Sequence, residues 1–236
     1  MKTLTRCITI CCALVVACSS DNLVGSGSVS TQRRSVTSFA AIDINGPVNT
    51  IVTAGATPSI TVEADDNVID KVTTRVGANG VLSVGMDPGG YSNFTATVRI
   101  VTPALSSIAT RGSGSTSLEQ GTTSSSFTLD NYGSGPLTVS GLAAVSLTSN
   151  LHGSGSITLV GSVGTLNVRN SGSGNVNSYE CTSQSARIAI FGSGNCHVDV
   201  GTLLVADIFG SGNVVYEGDP EVRTSGNGSG SVTRKS

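Results

Sequence analysis

The sequence runs to 236 residues, of which 12% are charged and 4% aromatic, with 30 glycines, 6 prolines and no tryptophan. A hydrophobic content of 38% is enough to close a core, which excludes a disordered chain. A net charge of −2 leaves no footprint for nucleic acid, and the excess of Gly, Ser, Thr and Val over helix-building residues excludes a helical protein.

The first element in chain order is an address, residues 1–18. Lys2 and Arg6 form a short positive segment ahead of Cys7–Ala17, an apolar run of about eleven residues. That is the length of a signal-peptide core, and too short to span a bilayer as a helix. The run ends Leu14-Val15-Val16-Ala17-Cys18, which resembles the lipobox of bacterial lipoproteins. The resemblance implies that Cys18 is lipidated on sulfur and becomes the first residue after cleavage; the alternative is an ordinary cleaved signal with Cys18 incidental. Several acyl chains on one residue anchor stably where a single chain holds only marginally. The expected location is therefore export to the bacterial envelope, at the outer membrane, with the membrane as one partner. Residues 19–34 are rich in Ser, Gly and Asn without periodicity and read as a flexible tether. Only Cys181 and Cys196 then remain outside the address, and their positions in the repeat differ, so buried thiols are expected over a disulfide.

From residue 35 to 236 the pattern is β throughout. Residues 35–111 hold alternating segments at Ala40–Val52, Ser59–Ala64, Gly80–Val84 and Thr95–Val101, read as irregular N-terminal coils and cap. Residues 112–236 are a regular repeat. Gly-Ser-Gly begins at Gly112, Gly133, Gly153, Gly172, Gly192, Gly210 and Gly228, in steps of 21, 20, 19, 20, 18 and 18 residues. Four residues after each of these glycines stand Thr116, Leu137, Ile157, Val176, Cys196, Val214 and Val232. Four before come Ile108, Leu129, Ser149, Val168, Ile188, Ala206 and Thr224, and apolar residues recur six before as well. Apolar positions two apart are the mark of strands with one buried face. A period near 20 with short strands predicts a parallel, right-handed β-solenoid whose coils stack about 4.8 Å apart. The Gly-Ser-Gly is then a corner, with glycine serving a positive φ or a close backbone approach. Asn175, Asn195 and Asn213, just past three successive corners, are placed to form a side-chain ladder, and Gly121, Gly141, Gly161, Gly201 and Gly218 mark a second corner.

The segment from Phe39 through Ile42-Asp43-Ile44-Asn45-Gly46-Pro47 to Asn49, the Asp65–Asn67 turn, Gly80-Val81-Leu82 and the recurring Ser-Gly-Ser-Gly resemble the head GIN domain of putative autotransporter adhesins. The resemblance covers about residues 35–233. It implies a β-helix-like fold on a cell envelope and brings no functional residues with it.

The chemistry is sparse. His152 and His197 fall on different corners, no Cys-x-x-Cys spacing occurs, and the Gly-Ser-Gly corners match neither a nucleophile elbow nor a phosphate loop. No metal or cofactor is expected. Asp199 and Glu217 share a position in consecutive coils, which puts their carboxylates about 5 Å apart. That spacing suits a retaining glycosidase or a cation, against the plainer reading of a solvated surface pair. Tyr132, Phe191 and Phe209 stand one residue before a corner, beside Arg111 and His152, as a stripe for stacking on sugar or a partner, or for packing inside the corner. The expected function is a noncatalytic, adhesin-like surface module for a glycan or protein ligand. The alternatives are a polysaccharide lyase or glycoside hydrolase on the same scaffold, or a purely structural envelope protein.

Overall fold

The computed structural model describes residues 22–119 and 123–236; the address segment with Cys18 and the glycine at 121 lie outside that range. Nineteen strands are present among the described residues, and seventeen of them join one continuous sheet. The regular part is a parallel β-solenoid. Its strands are β10 (Ser107–Thr110), β11 (Thr116–Glu119), β12 (Thr123–Asn131), β13 (Leu137–Leu151), β14 (Ile157–Asn170), β15 (Val176–Ile190), β16 (Cys196–Ile208), β17 (Val214–Glu217), β18 (Glu221–Ser225) and β19 (Val232–Arg234). Each long strand starts just after one Gly-Ser-Gly and ends just before the next, so the repeat period is the coil length.

The apolar columns are in register as the period predicts. Leu137, Ile157, Val176, Cys196 and Val214 pair in sequence and are fully buried. On the other wall Phe127, Leu147, Leu166, Ala186 and Leu204 do the same. Burying one full Leu or Phe contributes about 2 kcal/mol. The core is therefore a stack in which no coil buries its own face unaided.

The corner glycines answer the question that the sequence left open. None of the Gly-Ser-Gly glycines from Gly112 to Gly230 has a positive φ. What they need is space: a Cβ on Gly133, Gly153, Gly172, Gly192 or Gly210 would lie 2.0 Å from the carbonyl oxygen of the glycine one coil earlier. Positive φ is found at the second corner, at Gly141, Gly161 and Gly218, and at Gly46, which precedes the first Gly-Ser-Gly.

The N-terminal third stacks out of chain order. Strands β3 (Ala41–Ile44) and β4 (Asn49–Ala54) pair on one side with β10 and β11. On their other side lie β7 (Val81–Met86) and β9 (Ala96–Thr102), also parallel. Gly46-Pro47-Val48 fills the corner position, since a Cβ on Gly112 would meet the Gly46 oxygen at 1.8 Å. Beyond that layer the sheet turns antiparallel: β5 (Ser59–Asp65) pairs with β9, and β6 (Val72–Val76) with β7.

The tether expected over residues 19–34 is corrected from Asn22 onward. β1 (Asn22–Val24) pairs with β8 (Gly90–Ser92), and β2 (Val29–Arg34) runs antiparallel to β5 across six residue pairs. The loop between them is held by Asp65, a buried carboxylate that accepts the N–H groups of Gly27 at 2.5 Å and Thr95 at 2.6 Å. The composition misleads because β2 is an edge strand, and edge strands carry polar residues such as Ser30, Gln32 and Arg33.

Replacement of Gly153 by alanine is expected to destabilise the fold by about 2 kcal/mol or more, because backbone rather than a side-chain tip must move. Ser154→Ala at the neighbouring exposed position is expected to stay within about 0.5 kcal/mol of the parent. Thermal denaturation of the two variants side by side checks the contrast, and equal melting would refute the close-approach account.

Candidate corner ridge

Residues one place before each corner point outward, since the residue before them is buried. Stacking coils brings these outward residues into a single row: Arg111, Tyr132, His152, Ser171, Phe191 and Phe209. The Arg111 guanidinium lies 5.1 Å from the Tyr132 ring centroid, and Tyr132 stacks on His152 at 4.5 Å with 3° between planes. Ser171 Oγ is 3.0 Å from His152 Nδ1. Phe191 stacks on Phe209 at 5.1 Å and 18°, and the Arg169 guanidinium covers Phe191 at 4.0 Å. Tyr132, Phe191 and Phe209 are 46%, 41% and 49% exposed, so they do not pack inside the corner.

The same geometry bears on flat stacking of these rings on a sugar. Tyr132 lies between Arg111 in the coil before and His152 in the coil after, and Phe191 lies between Arg169 and Phe209. Both faces of Tyr132 and of Phe191 are taken within the row, and Phe209 has one face against Phe191. What they present outward is ring edges, the positive side of the aromatic quadrupole, with guanidinium groups between them.

Beside the ridge runs a shallow open groove of about 540 Å³, floored by Gly46, Gly112, Gly133 and Gly153 and walled by Arg111 and Tyr132. Two amide ladders fix this corner. Outside it, Asn175 Oδ1 accepts the Asn195 N–H at 2.9 Å, Asn195 accepts that of Asn213 at 2.9 Å, and Asn213 accepts that of Ser231 at 2.9 Å. Inside it, the buried Asn131 and Asn170 each receive the first corner glycine's N–H and donate to the carbonyl of Gly135 and Gly174. The outer ladder is legible from Asn175, Asn195 and Asn213; the inner one is missed, because its two members alternate with Leu151 and Ile190 in the column. Arg169 is missed too. Its signal is alternation: two residues before Ser171 it shares the outward face, one coil from Phe191.

The carboxylate pair lies on the opposite flank of the corner. Asp199 and Glu217 are register partners. Glu217 is not free, since Lys235 Nζ donates to it and lies 4.2 Å from the Tyr179 ring centroid. Tyr179 in turn stacks on His197 at 5.2 Å. Burial and then the Lys235 charge push the His197 pKa down, while the Glu217 hydrogen bond pushes Lys235 up. Tyr179 reaches this place through a bulge. The coil shortens from 20 to 18 residues at Gly192, and the surplus leaves the register between Ser178 and Thr182. Among the described residues no three of His, Cys, Asp and Glu gather as metal ligands.

The bulge also carries Cys181, buried and free, as is Cys196. Burial, helped by the Asp199 charge, pushes the Cys181 thiol up to about 11; burial alone pushes Cys196 up to about 12.

A solenoid with an exposed cation–aromatic corner defines a scaffold for presenting a linear surface. A family profile described as putative auto-transporter adhesin, head GIN domain, matches residues 38–220, and the chain belongs to that family. It is similar in fold to the crystal structure of a putative adhesin from Bacteroides fragilis, with a TM-score of 0.86, 21% identity, and 91% of this chain and 100% of that one covered. A putative lipid binding protein from Parabacteroides distasonis gives 0.73 at 24% identity, covering 91% of this chain and 100% of that one. A putative adhesin from Parabacteroides merdae gives 0.72 at 21%, covering 92% and 100%. No curated protein matches the chain in sequence.

At pH 8 Cys181 and Cys196 are expected to resist iodoacetamide in the folded protein, since the thiolate is the nucleophile and both pKa values are raised. Peptide mapping after native and denatured labelling checks this; native labelling at either site would contradict the buried packing. Because the folded values exceed the ordinary thiol value, this part of the stability is whole below about pH 8.5 and falls as pH rises toward 11–12.

Proposed function

We propose that this chain is an exported, noncatalytic surface-binding module of the bacterial envelope, held at the outer membrane through lipid on Cys18, and that the corner ridge is its ligand face. The observation that carries the reading is the row from Arg111 to Phe209. Large aromatic side chains stand 41–49% exposed in one line, on a backbone locked coil to coil. An isolated exposed ring needs no explanation; a contiguous row does, and interaction sites are its usual setting. The family description and the words adhesin and lipid binding in the names of the similar structures accord with a binding role. The lipid anchor is supported by the lipobox-like Leu14–Cys18.

The carboxylate pair favours binding over hydrolysis. Glycoside hydrolysis needs two carboxyl groups facing one bond, one of them free to hold a proton. Here Glu217 is engaged by Lys235, and Asp199 stands beside it along the stack rather than across a cleft from it.

Membrane fractionation of the full chain and its Cys18→Ser variant tests the anchor: the variant is expected in the soluble fraction, and unchanged membrane retention would overturn it. Adherence of protein-coated beads to mucin and cell surfaces tests the ridge. Joint replacement of Tyr132, Phe191 and Phe209 by serine is expected to lower adherence about tenfold or more with little change in melting temperature, as for exposed hot-spot aromatics. Asp199→Ala and Glu217→Ala are expected to leave it unchanged; unaffected adherence in the ridge variant would refute the assignment.

A further inference from the structure

We propose that the ligand of the corner is an acidic polysaccharide lying along the solenoid axis, its carboxylates read by Arg169 and its hydroxyls by the row of serines at the centre of the Gly-Ser-Gly corners. This rests on the reading of the corner ridge as the ligand face.

Charge is the first argument. The acids on the outward face near the ridge are already engaged. Asp43 takes Arg111, Asp130 takes the Asn150 amide at 2.9 Å, and Asp207 takes Arg187 and Ser225. Arg169 is exposed, and among the described residues no carboxylate lies within ion-pair distance of it; its one close neighbour of note is the Phe191 ring. Its planar fork lies over that ring and is open to solvent, which suits a carboxylate. The ring edges around it carry the same sign. Asp130 keeps its charge, since its partner Asn150 is neutral, but it lies two coils from Arg169, which leaves Arg169 the guanidinium of this face with no carboxylate against it.

Spacing is the second argument. The middle serine of every corner, from Ser113 to Ser229, is exposed, and none of these hydroxyls hydrogen-bonds within the described residues. Stacking sets them about 4.8 Å apart. An extended pyranoside chain, α- or β-linked, advances per sugar by roughly that step, so each ring can meet a hydroxyl, and successive weak contacts add along one polymer.

A peptide fits less well. Strand addition needs a free backbone edge, and the corner N–H groups are consumed coil to coil, as in Gly155 to Gly133 and Ser211 to Gly192. Nor does the groove offer pockets for alternate side chains, since its floor is glycine.

Binding of the purified protein to polygalacturonate, alginate and hyaluronan oligosaccharides of increasing length, measured by calorimetry beside carboxyl-reduced polygalacturonate, tests the proposal. Affinity for at least one acidic polymer is expected to rise with length and to fall with salt. Arg169→Gln is expected to cost about tenfold for the acidic polymer and to leave the weaker binding of the neutral one unchanged. Phe191→Ser, which frees the guanidinium to swing, is expected to lower affinity for the acidic polymer as well, while Arg223→Gln, on the last coil away from the ridge, is expected to have no effect. Equal binding of the neutral polymer, or Arg169→Gln binding like the parent, would overturn the proposal. If no acidic polymer binds but the ridge variant still loses adherence, the ligand class falls and the ridge as ligand face stands. If adherence survives as well, both fall.

Discussion

At every corner of this solenoid the carbonyl oxygen of one glycine occupies the space that a side chain on the next glycine would need. A Cβ at Gly174 would come within 1.7 Å of the Gly155 oxygen, and at Gly194 within 1.8 Å of Gly174. The whole stack depends on that approach. The hydrogen bonds running from Gly155 to Gly133 and from Gly212 to Gly192 exist because the corners close to that distance. The apolar columns inherit their contact from the same pitch, and a corner held apart by one methyl group would part Leu137 from Ile157 as surely as it parts the glycines.

The pitch has an electrostatic corollary. A position that repeats every coil faces its own copies at about 4.8 Å, so a charge placed in the repeat meets like charge along the stack. The sequence answers with few charges, 12% in all, and with an opposite charge or a hydrogen-bond donor beside several of them. Asp207 pairs with Arg187 and accepts from Ser225, Asp130 accepts from the Asn150 amide, and Glu217, stacked on the like-charged Asp199, is paired with Lys235. Amides and aromatics suffer no such repulsion and improve with repetition. That is why the columns that continue over several coils are Asn175-Asn195-Asn213 and the ridge, while no column of one charge runs beyond the Asp199–Glu217 pair.

Features that follow from the period were legible in the sequence. Counting from each Gly-Ser-Gly places Phe191 against Phe209, Asp199 against Glu217 and the three asparagines in line, because translation by one coil is the only operation needed. What escaped breaks that operation. The layer of β7 and β9 lies under β3 and β4 although it follows them in the chain, and no periodic count reveals an order of stacking that differs from the order of synthesis. β2 escaped because the residues of an edge strand and of a linker are drawn from the same polar set. Cys181 is buried and free as its phase against Cys196 implies, but Tyr179 escaped because an 18-residue coil on a 20-residue coil must shed residues, and the count does not say where. Occupancy of the ring faces was hidden for a different reason: Arg169 stands two places from the ridge column and reaches it only through the length of its side chain.

That occupancy changes how the ridge recognises anything. A ring free on one face binds by offering that face and must be held in place at the moment of contact. Here Tyr132 and Phe191 are already held between neighbours, at separations of 4.0–5.1 Å. The entropy of ordering these side chains is therefore spent in folding, and association is relieved of about 0.5–1.5 kcal/mol for each side chain that would otherwise be immobilised. The individual contacts left to a ligand, ring edges and hydroxyls, are weak. A rigid row of weak contacts gains affinity by count rather than by any one anchor, and the count is set by the number of coils. Lengthening the solenoid by one repeat adds one more copy of the same outward side chain in register, which links the glycine corner that permits stacking to the reach of the proposed ligand face.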